Sequence, residues 1–272
     1  MNPKLRAAIL LAAVCLLVCY ATVLRGMADQ WWNDEDMGHG FLVPGVILWI
    51  LWRERDQWRS VPAEPTLWGF AWIAAGAALQ LAGVLGVGLF AGALGFLCST
   101  FGVIVCFGGF SRARAWGFPL LLSLFMLPKL AIVYNQATLP MQLLATRQAA
   151  AILWVAGVGV VREGNVLQVG THRVAVVEAC NGLRYLIPLG FAAVVFAYLA
   201  DRRPWMRVAL LLAAIPVAML ANAFRVAASA YVPALSEGTF HTLAGWLIFV
   251  ASMAAIFLIH RILTKLGARR HA

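Results

Sequence analysis

Residues 66–110 have the sequence TLWGFAWIAAGAALQLAGVLGVGLFAGALGFLCSTFGVIVCFGGF. No charged residue occurs in these 45 positions. A helix that crosses a bilayer needs about 20 predominantly apolar residues. The stretch is therefore long enough for two such helices, with a glycine-rich turn near 83–88. It predicts a helical integral membrane protein.

The composition of the whole chain indicates the same fold class. Of its 272 residues, 63% are hydrophobic and only 12% are charged, whereas soluble domains carry about 25% charged residues. A chain this apolar cannot cover a water-soluble surface, which excludes a cytosolic globular enzyme and a disordered protein. In a membrane protein the net charge of +10 indicates cytoplasmic anchoring rather than nucleic-acid binding.

The cysteines do not form a recognisable framework. There are five of them, an odd number, and no two are spaced as a CxxC pair. This pattern indicates neither a set of disulfides nor a zinc site. We therefore expect no metal ion and no cofactor.

The remaining apolar runs place further helices along the chain. The first run is interpreted as an uncleaved span rather than a signal peptide, because no small-residue cleavage site with a soluble domain after it is present. We predict an all-α integral membrane protein with about eight transmembrane helices in a single polytopic domain, 1–272. The predicted spans are 7–24, 37–52, two within 66–110, 115–133, 184–200, 205–222 and 242–260.

The basic residues set the predicted orientation, since cytoplasmic loops are enriched in Lys and Arg. With a cytoplasmic N-terminus, 14 of the 21 basic residues fall inside, the acidic segment 25–38 falls outside, and the C-terminus is also cytoplasmic. The inside residues are Lys4, Arg6, Arg53, Arg55, Arg59, Arg112, Arg114, Arg202, Arg203, Arg207, Arg261, Lys265, Arg269 and Arg270.

One apolar run, 139–160, does not fit this orientation as a span. A crossing there would place Arg202 and Arg203 outside. Its polar residues, Gln142 and Arg147, suit a membrane interface. We therefore predict an interfacial or re-entrant helix at this position.

Residues 162–179, with the sequence REGNVLQVGTHRVAVVEA, differ from all the apolar runs. Val166 and the run 174–177 have strand character, and Gly170 starts a turn between them. The pattern predicts a small external β-hairpin that leads directly into Cys180.

Three chemically active groups reach the external face together under this topology. Cys180 precedes a predicted span, Arg225 follows one and His241 begins one. A thiol, a guanidinium and an imidazole at one membrane depth can act as nucleophile, oxyanion stabiliser and general acid or base. A helix that starts near Asn181 would also stabilise a thiolate through its N-terminal amides.

Each of these residue types also has a purely structural interpretation. Cysteine is a common small residue in membrane helices, an arginine at a helix end can extend to the interface, and a histidine beside aromatic residues can be an anchor. We interpret four cysteines as packing residues because they lie within apolar runs. They are Cys15, Cys19, Cys98 and Cys106.

Other residues compete for the same roles. Arg184 is a second guanidinium close to the cysteine block, and Asn222 is three residues before Arg225, on the same helix face. His39 and His172 are also predicted to be external. Residue type alone therefore does not choose the arginine or the histidine.

Three sequence segments lie in order at predicted external span ends. They are EACNGLRYL at 178–186, NAFR at 222–225 and FHTLAGW at 240–246. Together they resemble the exosortase/archaeosortase family of membrane cysteine transpeptidases, and GHGFLVP at 38–44 is similar to the family's N-terminal motif. The resemblance covers most of the chain and departs from the commoner family form at Asn181, where Ser is usual.

This resemblance implies roles for individual residues. Cys180 would be the nucleophile, Arg225 would bind the acyl oxygen, and His241 would transfer the proton. The residues expected to bind substrate or support the site are Arg184, Asn222, Glu178 and His39.

The resemblance also implies a substrate class and a location. The substrates would be exported proteins that end in a Pro-Glu-Pro-type motif, a transmembrane helix and a basic tail. The enzyme would lie in the bacterial cytoplasmic (inner) membrane with its site on the periplasmic face, surrounded by lipid and without a nucleic-acid partner. Its thioester would be resolved by water, or by an amine on a lipid or glycan acceptor.

Two other function classes are compatible with the composition. A transporter or exporter subunit would use polar groups within its spans, and Lys129 is a candidate for such a group. A non-catalytic scaffold subunit of surface-polymer export would not need the three groups to converge. Substitution of Cys180 separates both alternatives from a transpeptidase, because only the transpeptidase requires the thiol.

Overall fold

The computed structural model describes residues 3–176, 182–235 and 238–269, and the side chains of the last segment through residue 266. Helices make up most of the described chain, together with one small sheet. The chain divides into two compact units, Met1–Leu130 and Ala131–Ala272. The single polytopic domain over 1–272 stays a prediction.

Seven α-helices form the described part of the first unit. They are α1 (Pro3–Cys19), α2 (Ala21–Asn33), α3 (Leu42–Arg53), α4 (Arg55–Arg59), α5 (Trp68–Ala82), α6 (Leu89–Ala115) and α7 (Gly117–Leu122). Short 3-10 turns occupy Gly38–Phe41 and Ser123–Met126, and one wider helical turn, Gly83–Val87, extends α5.

The two helices predicted within 66–110 are confirmed as α5 and α6. The chain turns between them at Gly86 and Gly88, whose φ angles are 123° and 95°. Residues with a Cβ rarely adopt these angles, whereas glycine does so readily. The glycine-rich segment therefore marks the turn, as the sequence indicates.

Glycines let α5 and α6 pack with their backbones close together. A Cβ on Gly76 would lie 2.2 Å from the Ser99 hydroxyl and 2.5 Å from the Gly95 carbonyl oxygen, and one on Gly69 would lie 2.4 Å from the Gly102 carbonyl oxygen. Helices in a membrane gain little from hydrophobic association, so close van der Waals packing at small residues holds them together. This surface excludes larger side chains.

We expect Gly76→Val to destabilise the protein, because the added methyl groups would overlap the α6 backbone. Overpacking of this kind destabilises by about 1–3 kcal/mol. The matched control is Gly45→Val in α3, where a Cβ meets no atom within 4 Å. Thermal unfolding in detergent measures the difference, and equal midpoints for the two variants would contradict the packing described.

The acidic segment predicted as a loop over 25–38 is largely helical. Helix α2 continues to Asn33, and it bends from α1 by 64° at the intervening residue. Val23, Met27 and Trp31 are buried at intervals of four residues, whereas Asp29 is exposed. Burial of this one apolar face therefore stabilises a helix in a sequence whose average polarity suggests a loop.

The span predicted at 115–133 is interrupted. After α7 and its 3-10 turn, Leu127 adopts an extended conformation with ψ 137°, and the next helix begins only at Ala131. The cause is Pro128, because a proline disfavours the helical conformation of the residue before it. The new helix then runs on through Pro140, so no break separates it from the run predicted at 139–160.

Lys129, which lies at this interruption, forms ion pairs rather than standing alone in a span. Its ammonium is 2.6 Å from a carboxylate oxygen of Asp34 and 2.8 Å from one of Asp36. Asp36 is buried, with 7% of its surface exposed. The lysine therefore ties the turn after α2 to the chain after α7, which weakens its candidacy as a transport residue.

Several of the described helices are long and apolar enough to cross a membrane. The five that qualify singly are Trp68–Val87, Leu89–Ala115, Leu183–Ala200, Pro204–Tyr231 and Gly238–Leu266. The number is seven if each of two bent pairs, Pro3–Cys19 with Ala21–Asn33 and Gly117–Met126 with Ala131–Val155, is one span. Gly38–Arg53 is shorter. The protein is a multi-pass membrane protein, and the count of eight spans stays a prediction.

The described part of the second unit contains four α-helices and one sheet. The helices are α8 (Ala131–Val155), α9 (Leu183–Ala200), α10 (Pro204–Tyr231) and α11 (Gly238–Arg269). The strands are β1 (Val160–Glu163), β2 (Val166–Val169) and β3 (His172–Ala175). A 3-10 turn, Pro233–Leu235, lies between α10 and α11.

The sheet is antiparallel, with the order β1-β2-β3. Strands β2 and β3, with the turn after Gly170 between them, lie within the segment 162–179 that was predicted to be a hairpin, whereas β1 begins at the end of the preceding apolar run. Leu167 of β2 is fully buried in a cluster with Leu153 of α8 and Val226 of α10. The sheet is therefore built onto two helices, and its external position stays a prediction.

A polar cluster joins the α9–α10 connection to α11. Both carboxylate oxygens of Asp201 accept hydrogen bonds from the Arg203 guanidinium, the shortest 2.6 Å long, and one also accepts from His260 Nε2 at 3.2 Å. The Arg203 guanidinium holds the pKa of Asp201 well below its usual range. An arginine predicted only as a cytoplasmic anchor thus also joins elements of the unit.

We expect the region 139–160 not to cross the membrane, because a crossing there would reverse the orientation of the basic 202–207 segment. Reporter fusions placed after Tyr134 and after Gly164 test this on the two sides of the region. Both should report the same, external side. Opposite sides would mean that α8 completes a crossing and that the topology must be redrawn.

Candidate active site

Arg225 lies inside α10 rather than at the end of a helix. The helix continues to Tyr231, although the predicted span ended at Asn222. Small residues after that point, including Ala223 and Ala227, are buried and continue the packed face. Only 3% of the Arg225 surface is exposed, so the guanidinium is enclosed by the protein instead of extending to the membrane interface.

The guanidinium of Arg225 contacts the imidazole of His241. The contact joins Nη2 of the arginine to Nε2 of the histidine. On its other side, Nδ1 of His241 lies 3.0 Å from the carbonyl oxygen of Leu235. A carbonyl oxygen and an arginine fix the proton positions, since the first only accepts and the second only donates. The imidazole is therefore neutral, with its proton on Nδ1.

The Leu235 carbonyl oxygen is shared by a second donor. The hydroxyl of Ser229 donates to it at 3.2 Å, and Ser229 is four residues after Arg225, on the same face of α10. Helix α10 thus contacts the imidazole of His241 directly through Arg225, and it also contacts, through Ser229, the carbonyl oxygen that holds Nδ1 of the imidazole. Neither Ser229 nor a backbone carbonyl could be identified from residue types, because their roles depend on the turn between α10 and α11.

An aromatic ring covers the guanidinium. The Cζ atom of Arg225 lies 5.2 Å from the centre of the Tyr185 ring. Such an arrangement attracts a cation to the electron-rich ring face. Tyr185 belongs to the 178–186 segment, but its residue type alone did not indicate a role in the site, because an aromatic residue near an interface has an ordinary anchoring explanation.

Asn222 lies where α9 begins. It is 1% exposed, and a Cβ on Gly182 would be 3.4 Å from its side-chain nitrogen. Gly182 has φ 90° and ψ −17°, a left-handed conformation that favours glycine. Asn222 therefore lies beside Gly182, the residue directly before α9, in the unit that also contains Arg225 and His241.

The other predicted site residues have different outcomes. Cys180 and Glu178 lie outside the described residues. Arg184 is in the first turn of α9 and is half-buried. His39 belongs to the first unit, where it is 8% exposed. The roles of all seven predicted site residues stay predictions.

The described residues contain no arrangement suited to a metal ion. Within residues 3–176, 182–235 and 238–269, no group of three or more His, Cys, Asp or Glu side chains is placed to hold one. The described cysteines, Cys15, Cys19, Cys98 and Cys106, are free.

A comparison with protein families identifies the chain. The family model described as "Transmembrane exosortase (Exosortase_EpsH)" matches residues 31–258, well over half of the sequence. The chain belongs to the transmembrane exosortase family. No curated protein and no solved structure matches it. The resemblance inferred from the sequence segments is confirmed.

Family membership establishes the general activity class. Exosortases are membrane sorting enzymes and form a cysteine transpeptidase-like family. The Arg225–His241 pair of this exosortase lies within the matched region, as does the 178–186 segment. The arrangement is compatible with acyl transfer, in which a guanidinium stabilises a developing oxyanion.

We expect Arg225→Lys to reduce substrate processing by about 100- to 1,000-fold, the effect of losing one preorganised oxyanion donor. An ammonium is a point charge and cannot contact an imidazole and an acyl oxygen with the geometry of a planar guanidinium. The control is Arg184→Lys, which we expect to be milder because this side chain is only half-buried.

A cleavage time course normalised to membrane protein level compares the two variants. Near-wild-type processing by Arg225→Lys together with an inactive Arg184→Lys would assign the role to the other arginine.

Proposed function

We propose that this exosortase is a membrane-embedded cysteine protease or transpeptidase that cleaves the C-terminal sorting signals of exported proteins. The observation that carries the proposal is the contact between the buried Arg225 and the partly buried His241, two residues from neighbouring helices. In the proposal, Cys180 is the nucleophile, Arg225 binds the acyl oxygen and His241 transfers the proton.

In the proposed reaction each of the three groups has one task. Nε2 of His241 has one lone pair, so the Arg225 N–H that contacts it first turns to the carbonyl oxygen of the bound substrate. The Cys180 thiol then gives its proton to Nε2, and the resulting thiolate attacks the carbonyl carbon of the scissile peptide bond. The carbonyl oxygen becomes an oxyanion, which Arg225 stabilises. When the carbon–nitrogen bond breaks, the leaving amine takes the proton from His241, and a thioester joins the substrate to Cys180.

A second nucleophile then resolves the thioester. Water would complete a hydrolysis, whereas an amine on a lipid or glycan would complete a transpeptidation. Either one adds to the thioester carbonyl and gives its proton to His241, and the released thiolate takes that proton back. Catalyst and charges are restored in both cases.

The arrangement of His241 supports this sequence of steps. Because its Nδ1–H is held by the Leu235 carbonyl oxygen, the ring presents Nε2 as its basic nitrogen. The arginine that now donates to Nε2 has five N–H donors in a planar fork. Its N–H groups can therefore move from the imidazole to an acyl oxygen when the substrate binds, which leaves Nε2 free to take the proton.

The proposed substrates are exported proteins with a Pro-Glu-Pro-type motif, a transmembrane helix and a basic tail. We place the enzyme in the bacterial inner membrane with both termini cytoplasmic and the site on the periplasmic face. A transporter or a scaffold subunit of polymer export is the alternative. The contact between Arg225 and His241 favours the enzyme, since neither alternative requires these two groups to meet.

Co-expression with a reporter protein tests the proposal. The reporter carries a C-terminal Pro-Glu-Pro motif, an apolar helix and a basic tail, and cleavage shortens it. We expect Cys180→Ala to abolish the shortening, a loss of at least about 1,000-fold for removal of a nucleophile. Cys98→Ala, in the packed part of α6, is the matched control and should cleave normally.

Hydroxylamine provides a second readout, because it cleaves thioesters and would release the reporter as a hydroxamate. Shortening that persists in Cys180→Ala would exclude Cys180 as the nucleophile. An intact reporter in cells with wild-type enzyme would exclude this signal as its substrate.

A further inference from the structure

Tyr185 and Gly245 are two residues near Arg225 to which the reaction proposed above gives no role. Tyr185 is in the first turn of α9, and Gly245 is in α11, four residues after His241 and therefore on the same helix face. Both belong to the same unit as the arginine. Their arrangement connects three helices around one guanidinium.

The ring and the hydroxyl of Tyr185 have separate neighbours. The ring faces the guanidinium, with 5.2 Å between the ring centre and Cζ of Arg225. The hydroxyl reaches Gly245, where a Cβ would be 2.7 Å from the hydroxyl oxygen and 3.8 Å from the ring carbon that bears it. The phenol is thus held between α10 and α11.

Gly245 is a small residue buried within a long apolar helix. In membrane helices such residues mark places where a neighbouring group approaches closely. The space needed by the Tyr185 hydroxyl explains the glycine, because any side chain at this position would occupy that space. The absence of a side chain at Gly245 therefore leaves the space that the phenol hydroxyl occupies.

We propose, on the basis of the cleavage reaction proposed above, that Tyr185 is a positioning residue that orients the Arg225 guanidinium toward the acyl oxygen. In this proposal Gly245 seats the phenol so that the ring covers one face of the guanidinium. An arginine side chain has several rotatable bonds, and a ring against one face restricts them. The N–H groups at the edge then stay directed at His241 and at the substrate.

Four variants separate this role from simple packing. Tyr185→Phe keeps the ring and loses the hydroxyl, so it should keep kcat within about threefold of wild type. Tyr185→Leu loses the ring, and Gly245→Ala displaces it. Each of the latter should lower kcat by about 10- to 100-fold, the effect of misplacing a reacting group by about 1 Å, with little change in KM.

The double variant Tyr185→Phe/Gly245→Ala is the decisive one. Removing the hydroxyl leaves the ring carbon 3.8 Å from the alanine Cβ, an ordinary contact distance. The double variant should therefore regain the kcat of Tyr185→Phe alone. If Gly245→Ala lowers kcat equally with Tyr185 and with Phe at position 185, Gly245 does not act by making room for the phenol hydroxyl. If Tyr185→Leu keeps wild-type kcat, Tyr185 does not position the guanidinium.

A measurement without substrate keeps this proposal distinct from the proposed function. The rotation of the Arg225 guanidinium, followed by nitrogen-15 NMR in detergent, should be slow in wild type and in Tyr185→Phe. It should be at least about tenfold faster in Tyr185→Leu and in Gly245→Ala if the ring restrains the guanidinium. Equal rotation rates in all variants would overturn the proposal, whether or not the wild-type enzyme cleaves the reporter.

Discussion

The burial of one positive charge, that of Arg225, organises the second unit. A guanidinium cannot lose its proton to adapt to a low-dielectric interior. Its surroundings must therefore stabilise the positive charge with hydrogen-bond acceptors and electron-rich groups. The neutral imidazole of His241 accepts from it, and the ring of Tyr185 covers it. The same need fixes the histidine, because only the Nδ1–H form leaves Nε2 free to accept. The charge of Arg225, the tautomer of His241 and the packing of α9, α10 and α11 around them therefore depend on one another.

The first unit depends on a different constraint, the close approach of helices that share an apolar environment. Gly69 and Gly76 allow α5 to lie against α6 at backbone distance. Lys129, Asp34 and Asp36 form an ion cluster in the same unit. Packing at small residues thus acts there together with an ion cluster and with buried apolar side chains such as Met27 and Ile50.

The sequence predicts those parts of the molecule that follow from composition and local pattern. The pair α5 and α6, the helix Leu183–Ala200 and the family all follow in this way. The helical α2 was missed because its average polarity hid one buried face, and the break at Pro128 was missed because the apolar run continues across it. Arg225 and His241 were expected as site residues from the resemblance, whereas Ser229 and the Leu235 carbonyl depend on a turn that residue types do not specify.

The use of a backbone oxygen at Leu235 has a consequence for how this site can vary among proteins. Any residue type supplies the same carbonyl, so exchange of the side chain at this position would leave the acceptor for His241 in place. The length of the connection between α10 and α11 is a different matter, since one inserted or deleted residue would move the oxygen away from both Ser229 and the imidazole. Related sites should therefore differ freely in the identity of this residue while keeping the spacing between their arginine and their histidine.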